Sequence, residues 1–483
     1  MDHFFKLEKK SFADASVKHR FSFSGIVKTL CTVSALSLFF ISPTWCSSFF
    51  SKNCGQKNYT YRADTGIVSE GNNFIKKKYR VGLIFASSIT SSTPTTGFLY
   101  KVFSLTQAMR EKGHQYIFYI CNSSFKTKED LDCLKIKGVK AYIIDESLFY
   151  NNKYMASLVK KDNVDVLQYE DPQTFLALGA PIKTITDIPS VLVCHDIEDE
   201  LMNDLGKYET KPLLDYLHYI ATHLADSVMT LTEIDKKRRV SRHGIPEDKI
   251  FVTPIGVDET LPFKGPNLER KVIGFVGNLF YEPNKRAVDY LINKVFPFVK
   301  MVHPNAEIKI IGKTPKELAF RYRDQKDVFF TGEIKDQERY LDEMSTFTVG
   351  TCCIDVGCGM NVKVANYCGI GIPVVLTPIG RKGYEKIDSI QEVPLCPQEI
   401  AKRINAILGN SDYAQKLGKE SHRQIFKNLS WRNIAINLEN ALHYAYKTKS
   451  DKNKIVPIYP IWMDEKRHET HTLKGIHVIE AGN

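Results

Sequence analysis

The sequence predicts an α/β protein built from two doubly wound domains that face a central cleft, with a hydrophobic segment ahead of them. Three observations predict it. Short β-rich apolar runs alternate with amphipathic stretches of helical period from Tyr79 onward. The alternation occurs in two series, separated by the stretch 259–270 with Pro262, Gly265 and Pro266. Finally, a glycine-rich loop, Gly357-Cys-Gly-Met-Asn-Val-Lys363, leads into a helix, a turn at Gly371-Ile-Pro373, the apolar run Val374–Leu376 and a second glycine turn at Gly380. Glycines 357 and 359 remove side chains where backbone must approach a ligand. The following helix aims its unpaired N–H groups back at the loop, which suits a diphosphate.

The first series opens with the strand Arg80–Ala86, a Ser/Thr cluster over 87–96, and Gly97. A helix follows with Val102, Leu105, Ala108 and Met109 on one face, stopped by Lys112-Gly113. Strands are predicted at Tyr116–Cys121, Ala141–Ile144, Val164–Tyr169, Ser190–Cys194 and Ser227–Thr232, with helices around Pro172–Leu178 and Lys211–Leu224. The second series runs through strands 271–277, Glu307–Ile311, Val328–Phe330, Phe347–Thr351 and Val374–Thr377, with a helix near Ala287–Lys300. Trp431–Tyr446 is amphipathic. In such sheets ligands bind at the C-terminal strand ends. The polar pair His195-Asp196 directly follows one strand and is expected at the cleft, although a histidine capping a helix start is the plainer reading.

Composition narrows the function classes. With 43% hydrophobic and 25% charged residues, the 483-residue chain reads as folded. Residues 1–80 hold 13 Lys/Arg against 5 Asp/Glu and so carry +8 of the net +11, leaving no basic face for nucleic acid across the body. The eleven cysteines show no metal-ligand spacing and read as buried free thiols. No paired Asp-x-Asp suits a metal. In the tail, His468, His471 and His477 read as scattered solvated histidines.

The N-terminus divides into a basic arm (1–28), a hydrophobic segment (29–47) and a polar tether (48–78). The apolar core Leu30–Ile41, even extended to Trp45, falls just short of the ~17–25 residues of a bilayer span. The lysines and arginine before it suit an N-in orientation. A single-pass signal-anchor with membrane association is expected. A cleaved secretory signal near Thr44, Cys46 and Ser47 is the alternative, and an organelle-targeting or peripheral segment the third reading.

The order of parts over residues 357–380 resembles glycosyltransferase family 4 (group 1), whose pattern is Gly-Ser-Gly-x-x-x-Lys, Leu-Glu-Ala, then Gly-x-Pro-Val-Val. The resemblance extends over most of residues 80–445. Val272-Ile-Gly-Phe-Val-Gly-Asn278 with Glu282-Pro-Asn284 resembles the start of the family's C-terminal domain. Ala225-Asp226, Gly244-Ile-Pro246, Lys249-Ile250 and Pro254-Ile-Gly-Val-Asp258 resemble the end of its N-terminal domain. The resemblance implies a GT-B fold of two Rossmann-like domains: an acceptor domain (79–262), a nucleotide-sugar domain (263–428), a crossover helix (429–448) and a tail (449–483). It implies retaining transfer from a nucleotide-diphosphate sugar to a carbohydrate, lipid-linked or small-molecule acceptor.

Carried over residue by residue, the resemblance places His195 at the donor sugar and Gly97 on the acceptor side. Gly277, Asn278 and Lys285 fall in the loop after the first C-domain strand, and Gly332 and Ile334 at the nucleobase. Gly357, Gly359, Met360 and Asn361 fall on the phosphate loop, and Lys363 at the diphosphate. Two cations at the leaving group would do the work of a metal, so neither metal nor other cofactor is expected. At Asn366 the chain departs from the family, which has a glutamate there for the ribose hydroxyls. A neutral amide turns a charge-assisted bond into an ordinary one, a loss of about 1 kcal/mol. Asn278 likewise stands where many members have arginine. A catalytically weak, nucleotide- or sugar-binding relative is therefore the alternative reading.

Overall fold

The computed structural model describes residues 77–86, 97–122, 139–195, 211–449 and 476–479. The basic arm, the hydrophobic segment, most of the tether, the Ser/Thr loop, Asp196, His468 and His471 lie outside the described residues. Among the described residues no helix is long and apolar enough to cross a membrane.

The first sheet has the order β14-β3-β2-β1-β4-β5-β6-β7, and all but β14 run parallel. Its strands are β1 (Arg80–Phe85), β2 (Gln115–Cys121), β3 (Lys140–Ile144), β4 (Val166–Tyr169), β5 (Ser190–Cys194), β6 (Ser227–Thr230) and β7 (Ile250–Val252). Val81 to Phe85 are all buried, as expected for a strand covered on both faces. Helices α1 (Gly97–Glu111), α2 (Lys211–Leu224) and α3 (Glu233–His243) belong to this domain. The sequence reading left β7 and α3 unassigned. It also left Ile476–Ile479 in the tail, whereas this segment is β14, antiparallel to β3.

The second sheet, β10-β9-β8-β11-β12-β13, is parallel throughout. It comprises β8 (Val272–Val276), β9 (Glu307–Ile311), β10 (Val328–Phe330), β11 (Val349–Cys352), β12 (Val374–Leu376) and β13 (Gln391–Glu392). The helix expected at 287–300 is longer. It starts as α4 (Glu282–Tyr290), passes through a π-helical turn at Leu291–Val295 and ends at Val302. Pro283 at its start explains the earlier onset, because proline suits the first helical turn. Helices α5 (Gln337–Ser345), α6 (Val362–Ile370) and α7 (Ser411–Leu429) follow.

The chain passes between domains twice, and the two passages are tied together. Val257 N–H donates to Leu429 C=O at 2.8 Å, and Trp431 N–H to Val257 C=O at 3.3 Å. A Cβ on Gly256 would lie 2.7 Å from the Trp431 ring, so only glycine allows this approach. Helix α8 (Trp431–Thr448) then buries Trp431, Ile434, Leu438, Leu442 and Ala445 against α1 and the first sheet. Cys352, Cys353, Cys368 and Cys396 are free thiols, the first three of them buried.

Candidate active site

Each sheet reverses its winding beside its first strand, β1 against β4 and β8 against β11, and the candidate residues gather at the C-terminal ends of these strands. In the second domain three loop starts are stitched together. Gly277 N–H donates to Ile311 C=O at 2.9 Å, Gly312 N–H to Gly332 C=O at 3.0 Å, and Leu279 N–H to Lys313 C=O at 2.8 Å. A Cβ on Gly312 would fall 2.1 Å from the Gly277 carbonyl oxygen, and its φ is +139°. Gly332 is half-buried with φ +72°, while Ile334 beyond it is buried.

Lys363 is the centre of this face. It lies in the first turn of α6, buried, with Nζ donating to Asn284 Oδ1 at 2.7 Å and standing 4.6 Å above the Phe275 ring. Burial holds its ammonium below the usual lysine range. Asn284 in turn donates to the Asn278 carbonyl at 3.0 Å, so the Pro-Asn motif joins the β8 loop to the lysine. Lys285, expected in that loop, is instead on α4 and pairs with Glu282 at 3.4 Å. Its neighbour Arg286 pairs with Asp355, two residues before Gly357. Asn278 closes its own turn, its side chain accepting from Phe280 N–H at 3.0 Å.

In the glycine loop, Gly359 has φ +64°. Met360 Sδ accepts from Ile255 N–H of the first domain at 3.2 Å, and the side chain packs on Gly383, so its visible work is packing between domains. The Asn361 carbonyl accepts from Tyr384. Lys382, missed in the sequence, reaches the Gly357 carbonyl at 3.5 Å, and its charge acts on Asp235 at the start of α3 across the cleft. Its only sequence signal was the basic pair Arg381-Lys382 in the second glycine turn. Asn366 Nδ2 donates to the Tyr340 hydroxyl on α5 at 3.0 Å. Tyr340 was also missed, since nothing in a lone tyrosine on a helix marks it; burial pushes its phenol up to about 12.

In the first domain, Gly97 is the first residue of α1. His195 follows β5, and its Nε2 lies 2.9 Å from Glu170 Oε2, the residue after β4. Glu170 is 2% exposed and also accepts from Gln168. Burial alone pushes this carboxyl up; the bond and charge of His195, the charge of Lys101 and the Gln168 amide outweigh it and hold the carboxyl below its ordinary value. Among the described residues no group of three His, Cys, Asp or Glu side chains could hold a metal ion.

Two parallel doubly wound domains facing a cleft, with a glycine loop and helix N-terminus beside a buried lysine, define a GT-B transferase site. Residues 102–261 match the model of Glycosyltransferase Family 4, and residues 270–410 that of Glycosyl transferases group 1. An uncharacterized glycosyltransferase of Methanocaldococcus jannaschii is 23% identical over 297 residues, 57% of this chain and 74% of that one. Anabaena HepE, solved in complex with UDP-glucose, shares the fold at 13% identity and a TM-score of 0.59, over 76% of this chain and 99% of its own. Sucrose-phosphate synthase of Thermosynechococcus elongatus does so at 13% and 0.55, over 77% and 100%. The chain belongs to the group 1, family 4 glycosyltransferases and is a retaining glycosyltransferase that uses a nucleotide-sugar donor.

Proposed function

We propose that the donor is a uridine diphosphate sugar lying along the second sheet, with its sugar turned toward His195. The observation that carries this reading is Lys363, a buried cation hydrogen-bonded to the neutral amide of Asn284, at the mouth of a helix N-terminus. A diphosphate there would meet the ammonium, the loop amides and the helix dipole together. Asn366 and Tyr340 then face the ribose, and the Gly332–Ile334 backbone faces the base. The UDP-glucose held by Anabaena HepE supports the choice of nucleotide and hexose. His195 positions the sugar, and Gly97 stands on the acceptor side.

The test is a donor screen with calorimetric titration of UDP, GDP and ADP. UDP is expected to bind tightest and a UDP-hexose to be consumed. Tighter binding of GDP or ADP would overturn the choice of base. Asn366 supports the second reading, a weak binder; tight UDP binding with no donor consumed would establish it. With lysines opposite the leaving diphosphate, transfer is expected to persist in EDTA, and an absolute requirement for Mg²⁺ or Mn²⁺ would show the charge assignment wrong.

A further inference from the structure

The contact between Glu170 and His195 joins the ends of two neighbouring parallel strands. β4 and β5 pair through Leu167–Ser190, Gln168–Val191 and Tyr169–Leu192, so the residues that follow each strand emerge side by side at the cleft edge. His195 keeps 19% of its side chain exposed, whereas that of Glu170 keeps 2%. The carboxylate therefore lies behind the imidazole, too deep to attack a sugar itself. The groups facing it come from four elements: His195 after β5, Lys101 from α1, Gln168 from β4 and the buried Tyr116 from β2. Lys101 is 1% exposed and donates to Thr253 Oγ1 at 3.3 Å. A buried cation so close favours the ionised carboxylate.

We propose that Glu170 is a positioning residue for His195: its carboxylate takes the Nε2 hydrogen and fixes both the tautomer and the ring plane at the end of β5. An ionised carboxylate only accepts, so Nε2 must be the donor and, in the neutral ring, Nδ1 is the acceptor nitrogen. Carboxylates that orient a histidine in this way commonly matter about as much as the histidine's own contacts. The proposal rests on the reading of His195 as the residue at the donor sugar.

The experiment compares full-length parent, Glu170→Gln, Glu170→Asp and His195→Ala chains. Imidazole ¹⁵N signals of His195, assigned by their loss in His195→Ala, report the tautomer. In Glu170→Gln the Nε2–H tautomer is expected to lose its dominance, because an amide both donates and accepts and no longer demands a hydrogen on Nε2. Donor turnover should drop in kcat by about tenfold or more, with UDP affinity unchanged because the second domain holds the nucleotide. Glu170→Asp keeps the charge beside Lys101 and withdraws the carboxylate by one methylene; it should show the same changes in smaller degree, and it decides the matter if Glu170→Gln does not fold. Unchanged His195 signals and kcat in the folded Glu170 variants would overturn the proposal, leaving Glu170 as a counter-charge for Lys101 alone. Undiminished turnover in His195→Ala would instead sink the assignment of His195 to the sugar, while the ¹⁵N spectra still decide the pair.

Discussion

Lys363 is a buried charge at the N-terminal turn of α6. Burial disfavours its charge, and among the described residues the Asn284 amide, the Phe275 face and Cys352 offset part of that cost. A diphosphate bound there, as proposed, would remove the deficit, so Lys363→Ala should weaken UDP binding by about tenfold to a hundredfold, the worth of one charge-assisted bond. Unchanged affinity would remove the lysine from the site. Asn366 tests the ribose contact in both directions. Asn366→Glu restores a charged acceptor and should tighten UDP about threefold to tenfold, whereas Asn366→Ala should weaken it by a similar factor. Tyr340→Phe deletes the hydroxyl that Asn366 now touches and should also weaken UDP. If both Asn366 variants bind like the parent, α6 does not reach the nucleotide.

The elements place these residues through close backbone contacts more than through side chains. The loops after β8, β9 and β10 can lie together only because Gly312 leaves room for the Gly277 carbonyl. At the hinge, Gly256 lets Val257 pair with the chain entering α8. Gly256→Ala would press a methyl into the Trp431 ring and should cost about 1–3 kcal/mol of stability, read as a lower denaturant midpoint. UDP affinity should change little, since the proposed nucleotide face lies in the second domain. A variant as stable as the parent would mean that the hinge repacks freely.

At the scale of the molecule, acid should loosen the first domain. Burial holds His114, His223 and His243 below the ordinary imidazole value near 6.5, outweighing Glu439, the Tyr219 carbonyl and Asp215, which pull the other way. The unfolded chain therefore takes up these protons first. Their contribution to stability is full above about pH 6.5 and is lost as the pH falls toward their folded values. Thermal melts at pH 7.5 and 5.5 should show the lower midpoint at 5.5; a higher one would reverse the sign of the coupling. Membrane association through residues 1–47 is a separate expectation, carried by the basic leader and apolar stretch. Carbonate-washed membranes should retain the full chain and release a chain lacking those residues. Equal release would end the anchor reading, and a mature N-terminus near residue 47 would favour a cleaved signal.

Periodicity and glycine placement determined the two series of parallel strands, because a strand covered on both faces writes an unbroken apolar run such as Val81–Phe85. The glycine loop and Lys363 were legible because backbone approach and a helix terminus impose fixed residue types at fixed spacing. The tertiary structure alone decided the partners. Glu170 is 25 residues from His195 and Tyr340 is 26 from Asn366, and neither pair has a spacing that local structure dictates. Glu170 and His195 meet because neighbouring parallel strands deliver them to one sheet end, and Tyr340 and Asn366 because α5 and α6 pack against each other. Short edge strands such as β13 and β14, and a basic helix such as α3, carry too weak a periodic signal to declare themselves before the sheet that orders them exists.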